Sequence, residues 1–244
     1  MGTGTTLSLI ATAECQATRI TGTTMPETPA LLRLMTWLSP AFPVGSFSYS
    51  HGLESAVHDG LIGNREELED WLAGLLAAGS LWNDAVLAAH ALRASDEPAE
   101  LAQLAEFAEA LAGSAERHLE ATKQGQAFLE AVRTWRGSDI AGLPGECAYA
   151  VAFGAAAGTA GITAEDAVAG LLQATITNLT QVAIRLSVIG QSDGVRIAAR
   201  LEAEIAATAK RASGATLDDL GTGTLLSEIA AMRHETMHTR LFRT

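Results

Sequence analysis

The chain has 244 residues, enough for one large domain with its own core, and its composition is 48% hydrophobic, 18% charged and only 5% aromatic. Apolar mass supplied by Ala and Leu rather than by aromatic and β-branched residues favours helix and argues against a β-sandwich or barrel. With Asp+Glu 28 against Lys+Arg 16 the formal charge is -12, which excludes a broad cationic face for nucleic acid, and two distant cysteines, Cys15 and Cys147, exclude a disulfide scaffold or a CxxC site. A reducing cytoplasm is the default compartment.

Residues 1–28 read as a flexible Thr/Gly-rich leader: no Lys or Arg precedes the mildly apolar Leu7 to Ala13, so a secretory signal is not met, and Met1-Gly2 with Thr6 matches the myristoylation pattern only loosely. From residue 29 onward the periodicity is helical. Leu31, Leu34, Met35 and Leu38 predict a first amphipathic helix, stopped by Pro40. After a loop with Pro43 and Gly45, one of Ser46, Ser48 or Ser50 is expected to cap a helix whose face is Leu53, Ala56, Val57 and Leu61. Asn64 with Glu67 opens a helix carrying Leu68, Trp71, Leu72 and Leu75, and Asn83 or Asp84 is expected to cap another ending near Ala94. Ser95 to Pro98 then starts a long helix to Arg136, interruptible at Gly113-Ser114, with Leu101, Leu104, Ala105, Phe107, Ala108, Leu111, Leu119, Phe128, Leu129 and Val132 on its apolar side.

Two uncharged stretches, Cys147 to Ala164 and Ala167 to Ile184, are rich in Ala, Gly, Thr and amides, and read as buried helices packed through small residues rather than as membrane spans. Thr163 and Asp166 cap the clearer of them, with Val168, Leu171, Leu172, Ile176, Leu179, Val182, Ala183 and Leu186 on one face. Its partner runs from about Val195 to Arg211, and a short helix covers Leu225 to Met232. No internal repeat or long linker divides the chain. The expectation is an all-α, single-domain bundle of roughly eight to ten helices over 29–244.

Candidate chemistry is sparse. His234-Glu235-Thr236-Met237-His238 is a literal HExxH, which on a helix would set two imidazoles one turn apart for zinc with Glu235 as general base. Only six residues follow His238 and none is a good third ligand, so a zinc metallohydrolase stands only as the alternative outside the favoured class. No nucleotide-binding glycine motif occurs in a suitable context, Cys147 sits in an apolar Ala/Gly run that suits an inert thiol, and His51, His58, His90 and His118 lack paired spacing. No cofactor is expected.

Two segments stand out from plain core. Ser39 to Glu54 combines Pro40, Pro43, Gly45, Gly52 and several serines with Phe47 and Tyr49. It reads equally as a stiff interhelical connection or as a preorganised loop presenting Phe47, Ser48 and Tyr49 to a partner. The tail, 233–244, carries Arg233, Arg240 and Arg243 against one acid, Glu235, with Leu241-Phe242 between two of the arginines. It reads as a frayed terminus or as a docking tail that orders on binding.

Read together, these segments resemble the UreF family of urease accessory proteins. The resemblance rests on Leu31 to Ser39-Pro40, Pro43 to Ser50 and Gly52-Leu53-Glu54. It extends to Gly190-Gln191-Ser192-Asp193-Gly194, placed in the loop after the long central helix, and to Met232 to Glu235 with Arg240 to Arg243. Glu116, Glu120 and Gly125 fit the same pattern, whereas His118 replaces an expected Arg and Val188-Ile189 an expected Pro-Leu. The resemblance implies a non-enzymatic, all-helical, homodimeric factor. Such a factor joins a UreD/UreH-type protein and the GTPase UreG on apo-urease, where nickel enters the carbamylated-lysine site in a GTP-dependent step. Arg240 and Tyr49 are the positions it associates with recruiting the GTPase, within a partner surface comprising Phe47, Ser48, Tyr49, Arg233, His234, Glu235, Arg240, Leu241 and Phe242. An alternative within the family is a GTPase-activating factor supplying Arg240 or Arg233 in trans to the γ-phosphate.

Overall fold

A computed structural model describes residues 1–2 and 28–244; the leader assigned to 1–28 therefore lies almost wholly outside the described residues, as does Cys15. Among the described residues ten α-helices follow one another with no strand. They are α1 (Thr28–Trp37), α2 (Leu53–His58), α3 (Arg65–Ala78), α4 (Ser80–Arg93), α5 (Pro98–Ala110), α6 (Ala115–Arg136), α7 (Tyr149–Thr159), α8 (Ala164–Arg185), α9 (Gln191–Ser213) and α10 (Leu225–His234). Residues Ser46–Ser48 and Leu217–Asp219 add single 3-10 turns. One hydrophobic cluster runs from Ala30 to Phe242, so every helix contributes to a shared core.

Local chemistry sets most boundaries. Asn64 Oδ1 accepts from the Glu67 amide at 3.0 Å, Ser114 Oγ from the Arg117 amide at 3.1 Å and Thr163 Oγ1 from the Asp166 amide at 3.1 Å, each satisfying a donor that the first helical turn leaves free. Ser114 thereby separates α5 from α6 and splits the predicted long helix, while Gly137, at φ +76°, closes α6.

Some expectations fail where a distant partner overrides the local signal. Asn83 and Asp84 do not cap α4, which already begins at Ser80 after a break at Gly79. Instead Asn83 Oδ1 accepts from the Gly221 amide at 3.0 Å and Asp84 faces Arg117 at 3.5 Å. The Gly190–Gly194 motif is not a loop: Gly190 precedes the helix and Gln191 to Gly194 form the first turn of α9. Leu31, Met35, Phe107 and Leu119 are exposed although the helical periodicity put them inside, whereas Trp37 is buried. On α1 the buried face is Ala30, Leu34 and Trp37, because Trp37 packs edge-on against Phe128 at 6.0 Å between ring centroids.

The centre is built from small residues. α7 lies along α4, and a methyl group placed on Gly154 would fall 2.2 Å from the Ala88 carbonyl oxygen, so only glycine lets the two backbones approach. By length and composition alone, α8 and the α3–α4 stretch Arg65–Arg93 are apolar enough to cross a membrane; half of the former's apolar window and 61% of the latter's are buried inside the bundle. Phe128 gathers Phe42, Tyr149 and Phe153 around it at 5.4 to 5.8 Å, joining α6, α7 and the loop after α1. Replacing Gly154 by Ala is expected to cost about 2 kcal/mol by overpacking the α4–α7 contact, read as a lowered midpoint in thermal or denaturant unfolding followed by circular dichroism.

Candidate functional site

The serine-rich loop and the tail, 194 residues apart at Ser50 and Thr244, meet on one side of the bundle. The Arg243 amide donates to the Ser48 carbonyl at 2.8 Å and the Ser50 amide to the Thr244 carbonyl at 2.6 Å, with Ser50 Oγ bonding the same carbonyl. From α8, Asn178 Nδ2 donates to the Ser46 carbonyl at 3.0 Å and Arg185 to the Phe47 carbonyl at 2.7 Å. The Arg185 guanidinium also lies over the Phe242 ring at 4.3 Å, so one cation ties loop and tail to the same helix.

Beneath the tail is a set of buried charges. Glu54, at the start of α2, holds three donors: Oε1 accepts from the Leu241 amide at 2.7 Å, and Oε2 from the Phe242 amide at 3.1 Å and from His234 Nε2 at 2.9 Å. The other ring nitrogen of His234, Nδ1, is 2.6 Å from Glu116 Oε2, and Arg240 donates to Glu116 Oε1 at 2.6 Å. Burial pushes the Glu116 carboxyl up against the opposing pull of His234 and Arg240. Glu235 turns back so that Oε1 accepts from the Ala115 amide at 3.0 Å, placing an acid at the positive end of α6.

A second cluster continues along α6. Burial would raise the Glu120 carboxyl, but Arg117 beside it outweighs that and holds it down at about 2. Arg117 donates to Glu120 Oε2 at 2.7 Å and also to Nδ1 of His51, whose Nε2 is 2.6 Å from Ser80 Oγ. A guanidinium can only donate, so Nδ1 of His51 is an acceptor and Nε2 carries the proton toward Ser80. That polarity is opposite to the one that activates a serine, so Ser80, His51 and Glu120 are structural and not a hydrolytic triad. Thr244 Oγ1 reaches Glu120 Oε2 at 3.2 Å and connects the two clusters through the tail.

This geometry also removes the zinc arrangement. α10 ends at His234 and the chain turns, so His238 lies exposed outside the helix and the two imidazoles do not share a helical face. Both nitrogens of His234 face carboxylates, and Glu235 caps α6 rather than facing a metal-bound water. Cys147 is buried with its thiol pushed up to about 12 by burial, then by Glu109, far from thiolate reactivity.

The UreF family model matches residues 62–202. The urease accessory protein UreF 1 of Brucella canis is 54% identical over 224 residues, 92% of this chain and 98% of its own length, and UreF of Mesorhizobium japonicum is 52% identical over 221 residues, 91% and 99%. UreF of Brucella ovis is 54% identical over 226 residues, 93% of this chain and 99% of its own. The chain belongs to the UreF family of urease accessory proteins. The residues that the UreF resemblance singles out occupy distinct environments. Phe47 is 64% exposed and Ser48 partly so, but Tyr49, expected on the outside of the loop, is only 5% exposed. Phe242 is buried while its neighbour Leu241 is 73% exposed, so Phe242 alone of the pair fills the groove. Arg233 is exposed and pairs with Asp59 at 2.7 Å, and Arg240 keeps part of its guanidinium in solvent.

Pro40 and Pro43 bracket the turn after α1. Gly45 and Gly52 hold φ +72° and +77°, and a methyl group on Gly52 would lie 2.8 Å from the Ala231 amide nitrogen, so Gly52 lets α10 seat against α2. Gly190 precedes α9 and Gln191 opens it, both remote from the tail in role. The predicted serine cap of α2 is indirect: the cap position is Gly52, and Ser50 Oγ meets the Glu54 amide only at 3.4 Å. Arg117, Arg185 and Ser80 carry the site without having been singled out in the sequence, and Asp84 was expected there only as a helix cap. The signal for part of it was present as Glu116, Glu120 and Gln124, a polar stripe at spacing four that continues on the same buried face into Phe128 and Val132.

Replacing Glu54 by Ala would leave two backbone amides and a buried imidazole without their acceptor. A loss of tail docking worth about 3 kcal/mol is expected, visible as rapid proteolysis after Arg240 while the helical signal of the body is retained.

Proposed function

We propose that this chain acts in urease maturation as a nickel-insertion scaffold, a chaperone that bridges a UreD/UreH-type protein and the GTPase UreG on apo-urease. In this reading residues 29–244 form the UreF-like domain, 233–244 are its partner-docking tail, and the protein works as a soluble cytoplasmic homodimer without catalysing a reaction of its own. The observation that supports it most directly is the junction of the tail with the serine-rich loop. Two segments far apart in sequence are fastened together by backbone hydrogen bonds, with Phe47 and Leu241 left apolar and exposed beside them. Apolar groups on a preordered surface bind with little loss of conformational freedom, which suits a docking role.

The residues then divide into those that touch a partner and those that hold the surface. Phe47, Leu241 and the free side of Arg240 are placed to make contact. Tyr49, His234 and Phe242 are turned inward and support the loop and the tail, and Glu235, though exposed, is bonded to the Ala115 amide. Tyr49 therefore contributes to recruitment by fixing the loop rather than by direct contact. Arg240 is already committed to Glu116 at 2.6 Å, which favours a scaffold over an arginine delivered in trans to a γ-phosphate.

Co-purification of the full chain with a UreD-type protein and a UreG-type GTPase tests the proposal. Arg240→Ala is expected to weaken GTPase recruitment by about 30-fold, equivalent to about 2 kcal/mol, with the helical content unchanged, and a chain ending at Met232 is expected to lose it entirely. Undiminished ternary assembly by either variant would refute the role of the tail. Single-turnover GTP hydrolysis by the partner is expected to run at the same rate with and without this chain; acceleration dependent on Arg240 would favour the activating reading.

A further inference from the structure

The bonding around His234 can be followed proton by proton. Backbone amides only donate, so the Leu241 and Phe242 amides make both oxygens of Glu54 acceptors. Nε2 of His234 is 2.9 Å from the same carboxylate, and that contact holds one proton between the two atoms. Nδ1 and Glu116 Oε2 are 2.6 Å apart, and a separation that short requires a proton between them. Without one, an imidazole lone pair would face a carboxylate lone pair in a buried site. The proton sits either on Nδ1, leaving an imidazolium between two carboxylates, or on Glu116 Oε2. In the first form the charges balance, with Glu54 and Glu116 negative and His234 and Arg240 positive. In both forms the docked tail holds one proton more than a neutral His234 beside two ionised carboxylates.

We infer that Glu54, His234 and Glu116 form a proton-dependent latch, which keeps the C-terminal tail seated on the body while the proton between His234 and Glu116 is bound and releases it when that proton is lost. Glu54 and Glu116 are then positioning residues for the surface that carries Arg240, Leu241 and Phe242.

The surroundings support this assignment. The imidazole is faced by Glu54 from α2 and Glu116 from α6, and by Arg240 from the tail through Glu116. On its own segment Arg233 turns away to Asp59 and Glu235 to the Ala115 amide, so neither neutralises the line. The Arg117, Glu120, His51 and Asp84 group lies further along and meets the tail only at Thr244. His234 is fully buried and the side chains of Glu54 and Glu116 are less than one-tenth exposed, so water does not substitute for the missing proton. Burial also raises the Glu116 carboxyl, in the direction that retains the proton on this line.

The direction with pH follows from proton counting. A solvated imidazole ordinarily takes up a proton near about 6.5 and a solvated carboxyl well below that. Above that range the docked state binds more protons than the released one, so docking weakens as pH rises, by up to about tenfold per pH unit. The consequence for partner recruitment rests on the scaffold reading above, but the latch itself is a property of the chain alone.

Amide hydrogen exchange of the full-length protein, followed on the peptide containing Leu241 and Phe242 from about pH 6 to about pH 9, tests it across the histidine range. Protection is referenced to the intrinsic rate at each pH and to a peptide from α9. Tail protection is expected to fall by up to about tenfold per unit above neutrality while α9 stays constant. Glu116→Gln supplies an amide NH2 that donates to Nδ1 of a neutral imidazole, and an amide oxygen for Arg240, with nothing to titrate. This variant is expected to flatten the alkaline fall. A wild-type profile parallel to that of α9, or an unchanged slope in Glu116→Gln, overturns the latch. Should Glu116→Gln fail to fold, 15N resonances of the His234 ring in the wild-type protein decide: their transition must share its midpoint with the loss of tail protection, and separate midpoints overturn it. Because exchange is read without any partner, the latch can fail while Arg240→Ala still weakens recruitment, and the converse result leaves the latch standing.

Discussion

The carboxylate of Glu54 is the contact on which the order of the tail depends. A buried acid is costly unless its lone pairs are filled, and here one side chain accepts from an imidazole and two consecutive backbone amides. Those donors come from the segment that would otherwise be an exposed chain end with three arginines. The side chain that cannot remain unpaired and the segment that has little reason to stay ordered therefore satisfy each other. Glu116 repeats the arrangement with His234 and Arg240, so that two acids from different helices share one histidine.

Placing these acids requires a rigid body beneath them. α2 is only six residues long and could not hold Glu54 by its own helical propensity; α10 seats against it through the close approach at Gly52. α6 is twenty-two residues long, capped by Ser114 and closed at Gly137, and carries Glu116, Glu120 and Gln124 on one stripe while Phe128 and Val132 enter the core. α8 contributes Asn178 and Arg185 to the loop. The small-residue contact of α7 with α4 lets these longer helices surround a dense centre. Architecture and site are thus linked: each helix that bears a tail-binding group also carries apolar residues of the core.

The distribution of charge acquires a specific meaning in this arrangement. An acidic body and a basic tail suggest attraction to a partner when the sequence is considered alone. In the fold, Arg233 meets Asp59 and Arg240 meets Glu116, so part of the contrast is used within the molecule. The surface presented outward beside the tail is then as much apolar as cationic, with Phe47 and Leu241 uncovered.

Helical class, most helix boundaries and the two unusual segments were legible in the sequence because they depend on short-range chemistry: a cap and its amide lie three residues apart, and an apolar stripe repeats every turn. Asn64, Ser114 and Thr163 illustrate the first, and Val168 to Ala183 the second. Tertiary structure alone decided what depends on groups brought together from far along the chain. Asp84 and Asn83 were drawn from capping into long-range bonds, Tyr49 turned inward, and Leu31 and Met35 were left uncovered. The HExxH spacing is real in the sequence but is cut by the end of α10, and both ring nitrogens of His234 are taken by Glu54 and Glu116. Sequence determined that the tail was chemically distinctive; only the fold determined that its partner inside the molecule is a pair of buried glutamates, since a carboxylate's donors are set by proximity in space and not by spacing along the chain.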